Sequence, residues 1–180
     1  FSYFDGDCTM STLQVDNIKT SGGTSALTID STGRILTPAR PAFRARIAGS
    51  SAAHGDQLHL VFETEDFDIG GNYDTSTGRF TAPVAGVYWF GFSGMTATNS
   101  SGGMPTTNDN IIVNFLKNGQ FLEGARHYEY VGANNQVTMR LNDMVNLSAS
   151  DYVNVYVSSE FVYSNSNSAY DPVFQGYLIG

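Results

Sequence analysis

Residues 73 to 90 read Tyr73-Asp74-Thr75-Ser76-Thr77-Gly78-Arg79-Phe80-Thr81-Ala82-Pro83-Val84-Ala85-Gly86-Val87-Tyr88-Trp89-Phe90. The order is turn, short strand, tight turn, long strand. Thr77-Gly78 signals a turn, because Gly takes a positive φ without a steric penalty. Arg79 to Ala82 is a short strand. Pro83 cannot donate to a ladder, so it ends that strand or sits at an edge. Gly86 permits the reversal into Val87 to Met95, which is rich in β-branched and aromatic residues.

The spacing of Tyr73, Gly78, Phe80, Pro83, Gly86, Tyr88 and Phe90 resembles the signature of the C1q domain, within the C1q/tumour-necrosis-factor jelly-roll superfamily. Leu147-Ser148-Ala149-Ser150-Asp151-Tyr152-Val153 is similar to that family's Leu-x-x-Gly-Asp-x-Val element, with Ser150 where the family has Gly. Phe174-Gln175-Gly176-Tyr177-Leu178 is similar to its closing strand. These stretches follow the family's order between about Pro41 and Gly180. The resemblance implies an all-β jelly-roll sandwich that associates as a homotrimer, with Asp151, Phe174 and Gly176 among the structural signature residues. A fold alone names no ligand.

The chain has 180 residues, enough for one main domain and a short appendage. Its 14% of charged residues is low against the usual quarter. Ser, Thr, Asn and Gly fill polar positions, as in extracellular and virion β-proteins. A net charge of −8 with no Lys/Arg cluster argues against nucleic-acid binding. Cys8 is the single cysteine, so no intrachain disulfide forms. No run of 18 apolar residues exists, so no membrane insertion is expected. Phe1 to Thr9 lacks the form of a secretory signal, and reads as a fusion segment or the end of an upstream region.

Residues 1–40 are expected to form a stem and 41–180 the head. In the stem, Ala26 to Ile29 and Arg34 to Thr37 are short strand patterns separated by the turn Asp30-Ser31-Thr32-Gly33. Two such strands bury too little alone. Three copies wrapping together would offer Leu27, Ile29, Ile35 and Leu36 to a shared axis. The stretch is similar to segments leading into the tip domains of phage tail-fibre proteins.

In the head, Phe43, Ala45 and Ile47 alternate with Arg44 and Arg46, the pattern of a half-buried strand. Gly49 to Asp56 is expected to be a loop, Glu63 to Asn72 an acidic connection, and Tyr163 to Pro172 a low-complexity loop. Asn118-Gly119 is a hairpin turn. Val137 to Leu147 and Tyr152 to Val157 are expected to pair around Ser150-Asp151. Tyr152, Asn154 and Tyr156 oppose valines, and Tyr88 and Phe90 oppose Val87 and Trp89. Bulk on both faces exceeds what a sandwich needs, which independently suggests burial between subunits.

His54, His59 and His127 share no metal-ligand spacing, and no nucleophile motif occurs, so no enzyme activity is expected. Glu63, Glu65, Asp66, Asp68 and Asp74 form an acidic cluster. The favoured reading of this cluster is a solvated acidic face; Glu65, Asp66 and Asp68 are the candidate ligands if calcium binds, although their spacing is not that of an EF-hand. No other cofactor is expected. Strand parity puts Gly49 to Asp56 and Glu160 to Pro172 at the tip distal to the chain ends. These loops carry His54, Asp56, Tyr163, Asn165, Asn167, Tyr170 and Asp171, suited to saccharide or protein recognition. The leading expectation is a trimeric receptor-binding tip of a viral fibre. Its partners would be its own copies, a host-surface receptor and other virion proteins held through the stem. The alternatives are a virion structural or decoration protein, or a secreted C1q-like recognition protein.

Overall fold

A computed structural model describes residues 15–48, 52–54, 58–96, 109–132, 135, 137–157, 162–164 and 171–180. The chain forms two compact units, Phe1–Ala39 and Arg40–Gly180.

In the first unit, β1 (Asn17–Lys19), β2 (Ser25–Ile29) and β3 (Ile35–Leu36) make an antiparallel sheet in that order. Asp30 ties the β2–β3 turn. Its Oδ1 accepts from Thr32 N–H at 2.9 Å and Arg34 N–H at 3.0 Å, and its Oδ2 from Arg34 Nε at 2.6 Å. These donors hold the carboxyl well below the usual carboxylate range. Leu27 and Ile29 are only half-buried, and Ile18, Ile35 and Leu36 are exposed. No described residue of this unit is buried.

The second unit is a two-sheet sandwich. Its strands are β4 (Ala42–Arg46), β5 (Ala52–His54), β6 (Leu58–His59), β7 (Thr64–Ile69), β8 (Tyr73–Asp74), β9 (Arg79–Thr81) and β10 (Gly86–Thr96). They continue with β11 (Asp109–Lys117), β12 (Gln120–Val131), β13 (Thr138–Leu147), β14 (Tyr152–Val157), β15 (Val162–Ser164) and β16 (Val173–Leu178). One sheet runs β13-β10-β16-β4-β7, with β15 and β5 continuing from the end of β10. The other runs β12-β11-β14-β9-β8, with β6 beside β14. All pairings are antiparallel, and the first and last long strands, β4 and β16, are neighbours. This is a jelly roll.

Between the sheets lies an aromatic core. Phe43 stacks on Tyr73 and Phe80, each at 4.9 Å between centroids, and meets Phe174 edge-on. Phe62, Tyr88, Phe90 and Phe115 complete it. Such ring pairs add to the area they bury.

Four expectations are corrected. Glu63 to Asn72 is not only a connection, because β7 pairs with β4 along the sheet edge. Gly49 to Asp56 and Tyr163 to Pro172 are not only loops, because β5 and β15 pair with each other. Val137 to Leu147 and Tyr152 to Val157 do not pair. β13 joins β10 in one sheet and β14 joins β11 in the other, so Ser148 to Asp151 carries the chain across the sandwich.

Candidate functional site

The register places one apolar row across the outward face of the first sheet. Met144 lies opposite Trp89, Trp89 opposite Tyr177, Tyr177 opposite Ala42, and Ala42 opposite Ile69. Met144, Trp89, Tyr177 and Ala42 each adjoin a buried residue in sequence, so strand alternation turns them away from the core, and Ile69 is exposed at the sheet edge. Trp89 and Tyr177 are in ring contact at 5.5 Å. Gly91 leaves the indole room, since a Cβ there would lie 2.5 Å from Trp89 Cη2. Met144 is 66% exposed and Tyr177 43%, and Val87 and Ile179 extend the patch. Burying each such side chain would contribute about 1.5–3 kcal/mol. Large contiguous apolar patches on a sheet face mark contact surfaces.

Beside this row runs a charged one. Asp66 pairs with Arg44 and, at 2.9 Å, with Arg46. Arg46 Nη1 also donates to the nearly buried Asp171 at 2.8 Å. Asp68 Oδ2 accepts from Tyr73 N–H at 2.8 Å. Asp66 and Asp171 thus share Arg46, while Asp68 holds the Tyr73 N–H. Among the described residues no three acidic, His or Cys groups gather around one point, at Glu65, Asp66 and Asp68 or elsewhere. Asp66 turns to Arg44 and Arg46, whereas Asp68 turns to the Tyr73 N–H. His127 sits 3.6 Å from Glu129, as a surface pair.

The expected distal residues fall as follows. His54 lies opposite Val162, and Tyr163 opposite Ala53, so the strand ends of the two proposed loops are joined. β15 pairs with β10 at Met95 and Thr96. At the other end of β10, Val87 bonds to Gly180, and Leu178 bonds to Pro41. The joined segments therefore lie at the end of the sheet away from Pro41 and Gly180. Asp171 is held by Arg46. Asp56, Asn165, Asn167 and Tyr170 lie outside the described residues.

The signature residues hold the sandwich together. The Tyr73 hydroxyl bridges both backbone groups of Phe62, and burial pushes its pKa up. The Tyr88 hydroxyl donates to Val84 O at 2.8 Å. Gly78 has φ 68°, and a Cβ there would stand 2.3 Å from Leu60 O. Gly176 lets Phe90 pack flat, since its Cβ would meet that ring at 2.6 Å. Ala82 exchanges backbone hydrogen bonds with Ser150 and Asp151, tying the first motif to the second. Ser150, standing where the family has Gly, has φ 73°. Asp151 accepts from Asn118 Nδ2 at 2.7 Å, Lys117 Nζ at 2.9 Å and Ser148 N–H at 2.8 Å. With the Asn118 bond foremost, these pull its carboxyl down to about 2.

The family model of the C1q domain matches residues 42–179. The chain belongs to the C1q domain family. Its C1q domain coincides with the sandwich just described. Among solved structures, the globular domain of zebrafish complement 1qA superposes with a TM-score of 0.55 at 17% identity, covering 78% of this chain and 98% of that one. Human complement C1q tumor necrosis factor-related protein 3 is 33% identical over 73 residues, 41% of this chain and 26% of that protein. Rat complement C1q tumor necrosis factor-related protein 5 is 26% identical over 144 residues, 79% of this chain and 54% of that protein. The chain thus spans about a quarter to a half of these curated relatives.

One feature of this C1q domain escaped the sequence reading. A pocket of about 310 Å³ lies on the second sheet, lined by Asn114, Phe121, Leu122, Glu123, Gly124 and Arg126. The available signal was an Asn among the valines and aromatics at the centre of each of two strands, Asn114 and Asn154.

Proposed function

We propose that this C1q domain is a homotrimeric, non-catalytic recognition head acting outside cells. Three copies meet through the row of Met144, Trp89, Tyr177 and Ile69, with Val87 and Ile179 beside it. That row is the observation that carries the reading, because a stable lone subunit has no use for it. Homotrimers are typical of C1q domains. The ends of the sheets away from Pro41 and Gly180 would then point together. His54, Asp56, Tyr163, Asn165, Asn167, Tyr170 and Asp171 would offer three copies of one contact surface. Three weak contacts on one rigid head gain avidity, because the second and third are intramolecular.

The family match and the C1q tumor necrosis factor-related relatives favour a secreted recognition protein. A fibre tip on a virion is the second reading. It is favoured by the small β-sheet of Asn17 to Leu36, whose apolar residues await partner strands. Sedimentation of Trp89→Arg against the unaltered chain tests the trimer. The variant should sediment as a folded monomer, and a trimeric Trp89→Arg protein would contradict the role given to the row. Antibody labelling of source cells and of any particles they yield separates the two settings.

A further inference from the structure

Asn114 and Asn154 present an anomaly on the outward face of the second sheet. Ile111, Val113 and Phe115 of β11, and Val153, Val155 and Val157 of β14, fill the core. Alternation therefore turns Asn114 and Asn154 to the solvent side. Yet Asn114 is 2% exposed and Asn154 0%. Asn114 Oδ1 and both amide atoms of Asn154 lack hydrogen-bond partners. Buried polar groups are nearly always paired, and the exceptions ask for a reason.

The local architecture supplies one. Asn114 lies opposite Tyr156 and Leu116 opposite Asn154, so the two amides are diagonal neighbours. Phe121 on β12 and Tyr156 on β14 flank β11, and their rings meet edge-on at 5.0 Å. This contact bridges over β11 beside the two amides. Beside it, Asn114 pairs with Arg126 and Leu116 with Phe121, so Leu122 to Ala125 sit opposite Phe115 alone. Leu122 and Ala125 pack on the core. Glu123 and Gly124, with Gly124 at φ 81°, arch outward. The arch leaves the pocket of about 310 Å³ with Asn114 in its lining. That is the lower end of small-molecule sites.

We propose that this pocket binds a saccharide carrying an acetamido group. The lining offers an apolar ring in Phe121, an aliphatic side chain in Leu122, an acceptor in Glu123 and a donor in Arg126, with the unpaired Asn114 Oδ1 buried beside them. An acetamido substituent carries one N–H, one carbonyl and one methyl, and matches that set. The opposite charges of Glu123 and Arg126 balance, which disfavours a simple anion. An added peptide strand does not fit either, because the arch breaks the ladder on β12. The pocket is separate from the apolar row and from the distal segments. The proposal rests on the recognition reading only in treating the head as a binding module.

Saturation-transfer NMR on the full chain tests it, with N-acetylglucosamine and N-acetylgalactosamine against glucose, galactose and inorganic phosphate. The acetamido sugars should show saturable transfer strongest at the methyl, and the parent hexoses at least about tenfold weaker binding. Asn114→Leu should lose about tenfold in affinity while melting no lower, since it removes an unpaired buried amide. Glu123→Ala, at an exposed position, should weaken binding several-fold with the fold intact. Absence of transfer from every sugar would overturn the proposal, as would equal binding by the parent hexoses. So would binding by phosphate alone, or unchanged binding in both variants. The sedimentation mass is recorded on the same samples. A monomer that still binds acetamido sugars would sink the trimer and leave the pocket standing.

Discussion

The stem sheet and the head sandwich are built from the same strand and turn vocabulary, yet only the head has an interior. Asp30-Ser31-Thr32-Gly33 and Asp74-Thr75-Ser76-Thr77-Gly78 are nearly the same turn. Each Asp oxygen accepts from the backbone two residues on, at 2.9 Å from Thr32 and 2.8 Å from Ser76, and each turn ends on a Gly with positive φ. The turn in the head sits against a core of stacked rings. The turn in the stem joins strands whose Ile35 is 66% exposed. Local chemistry sets a hairpin in both places. Burial decides which of them is stable without help.

The sharpest way to break this contrast is one truncation in each region. Phe43→Ala removes a ring that four others touch, and should cost about 3–5 kcal/mol in denaturant unfolding. Ile35→Ser should leave the head's transition within about 0.5 kcal/mol. A large effect at Ile35 would mean that the two units melt as one.

Gly78→Ala comes next. It forces a left-handed residue and drives a Cβ against Leu60 O, so at least about 2 kcal/mol should be lost by the same measurement. The equivalent Gly33 has open space around it. Gly33→Ala should therefore cost only the backbone part, read as a smaller change in stem circular dichroism.

Ser150→Gly reverses the sign. Relieving φ 73° should raise stability by about 0.5–1 kcal/mol, seen as a higher melting temperature. No gain would show that Ser150 is not strained.

The smallest effect is with acid. Asp151 is held at about 2 against an ordinary 3.8. A lowered folded-state value adds stability that is fully present above 3.8 and is lost as pH falls towards 2. Asp30 and Asp74 are shifted in the same direction. Acid titration of the melting temperature should therefore decline between about pH 4 and pH 2. In Asp151→Asn that decline should shrink.

The parts legible in the sequence were those that local chemistry dictates. Asn118-Gly119, at φ 51° and 79°, closes the hairpin that its dipeptide announces. The spacing from Tyr73 to Phe90 marks the C1q sandwich, because its glycines and rings answer close approaches within it. What stayed hidden depends on pairing partners. Thr64-Glu65-Asp66-Phe67-Asp68-Ile69 looks like a loop because acids are rare in strands. It is an edge strand because Arg44 and Arg46 lie beside it. The passage at Ser148 to Asp151 looks like a hairpin and is a crossing between sheets. The Asn114 pocket needs the extra residues of β12, which no pattern in one strand reveals.

The account depends above all on the apolar row of the first sheet being covered by copies of itself. Sedimentation equilibrium of the full chain at micromolar concentration tests this most directly. The account predicts a single species of three times the chain mass, reduced to one chain mass by Trp89→Arg. A folded, soluble monomer of the unaltered chain across that range would contradict it.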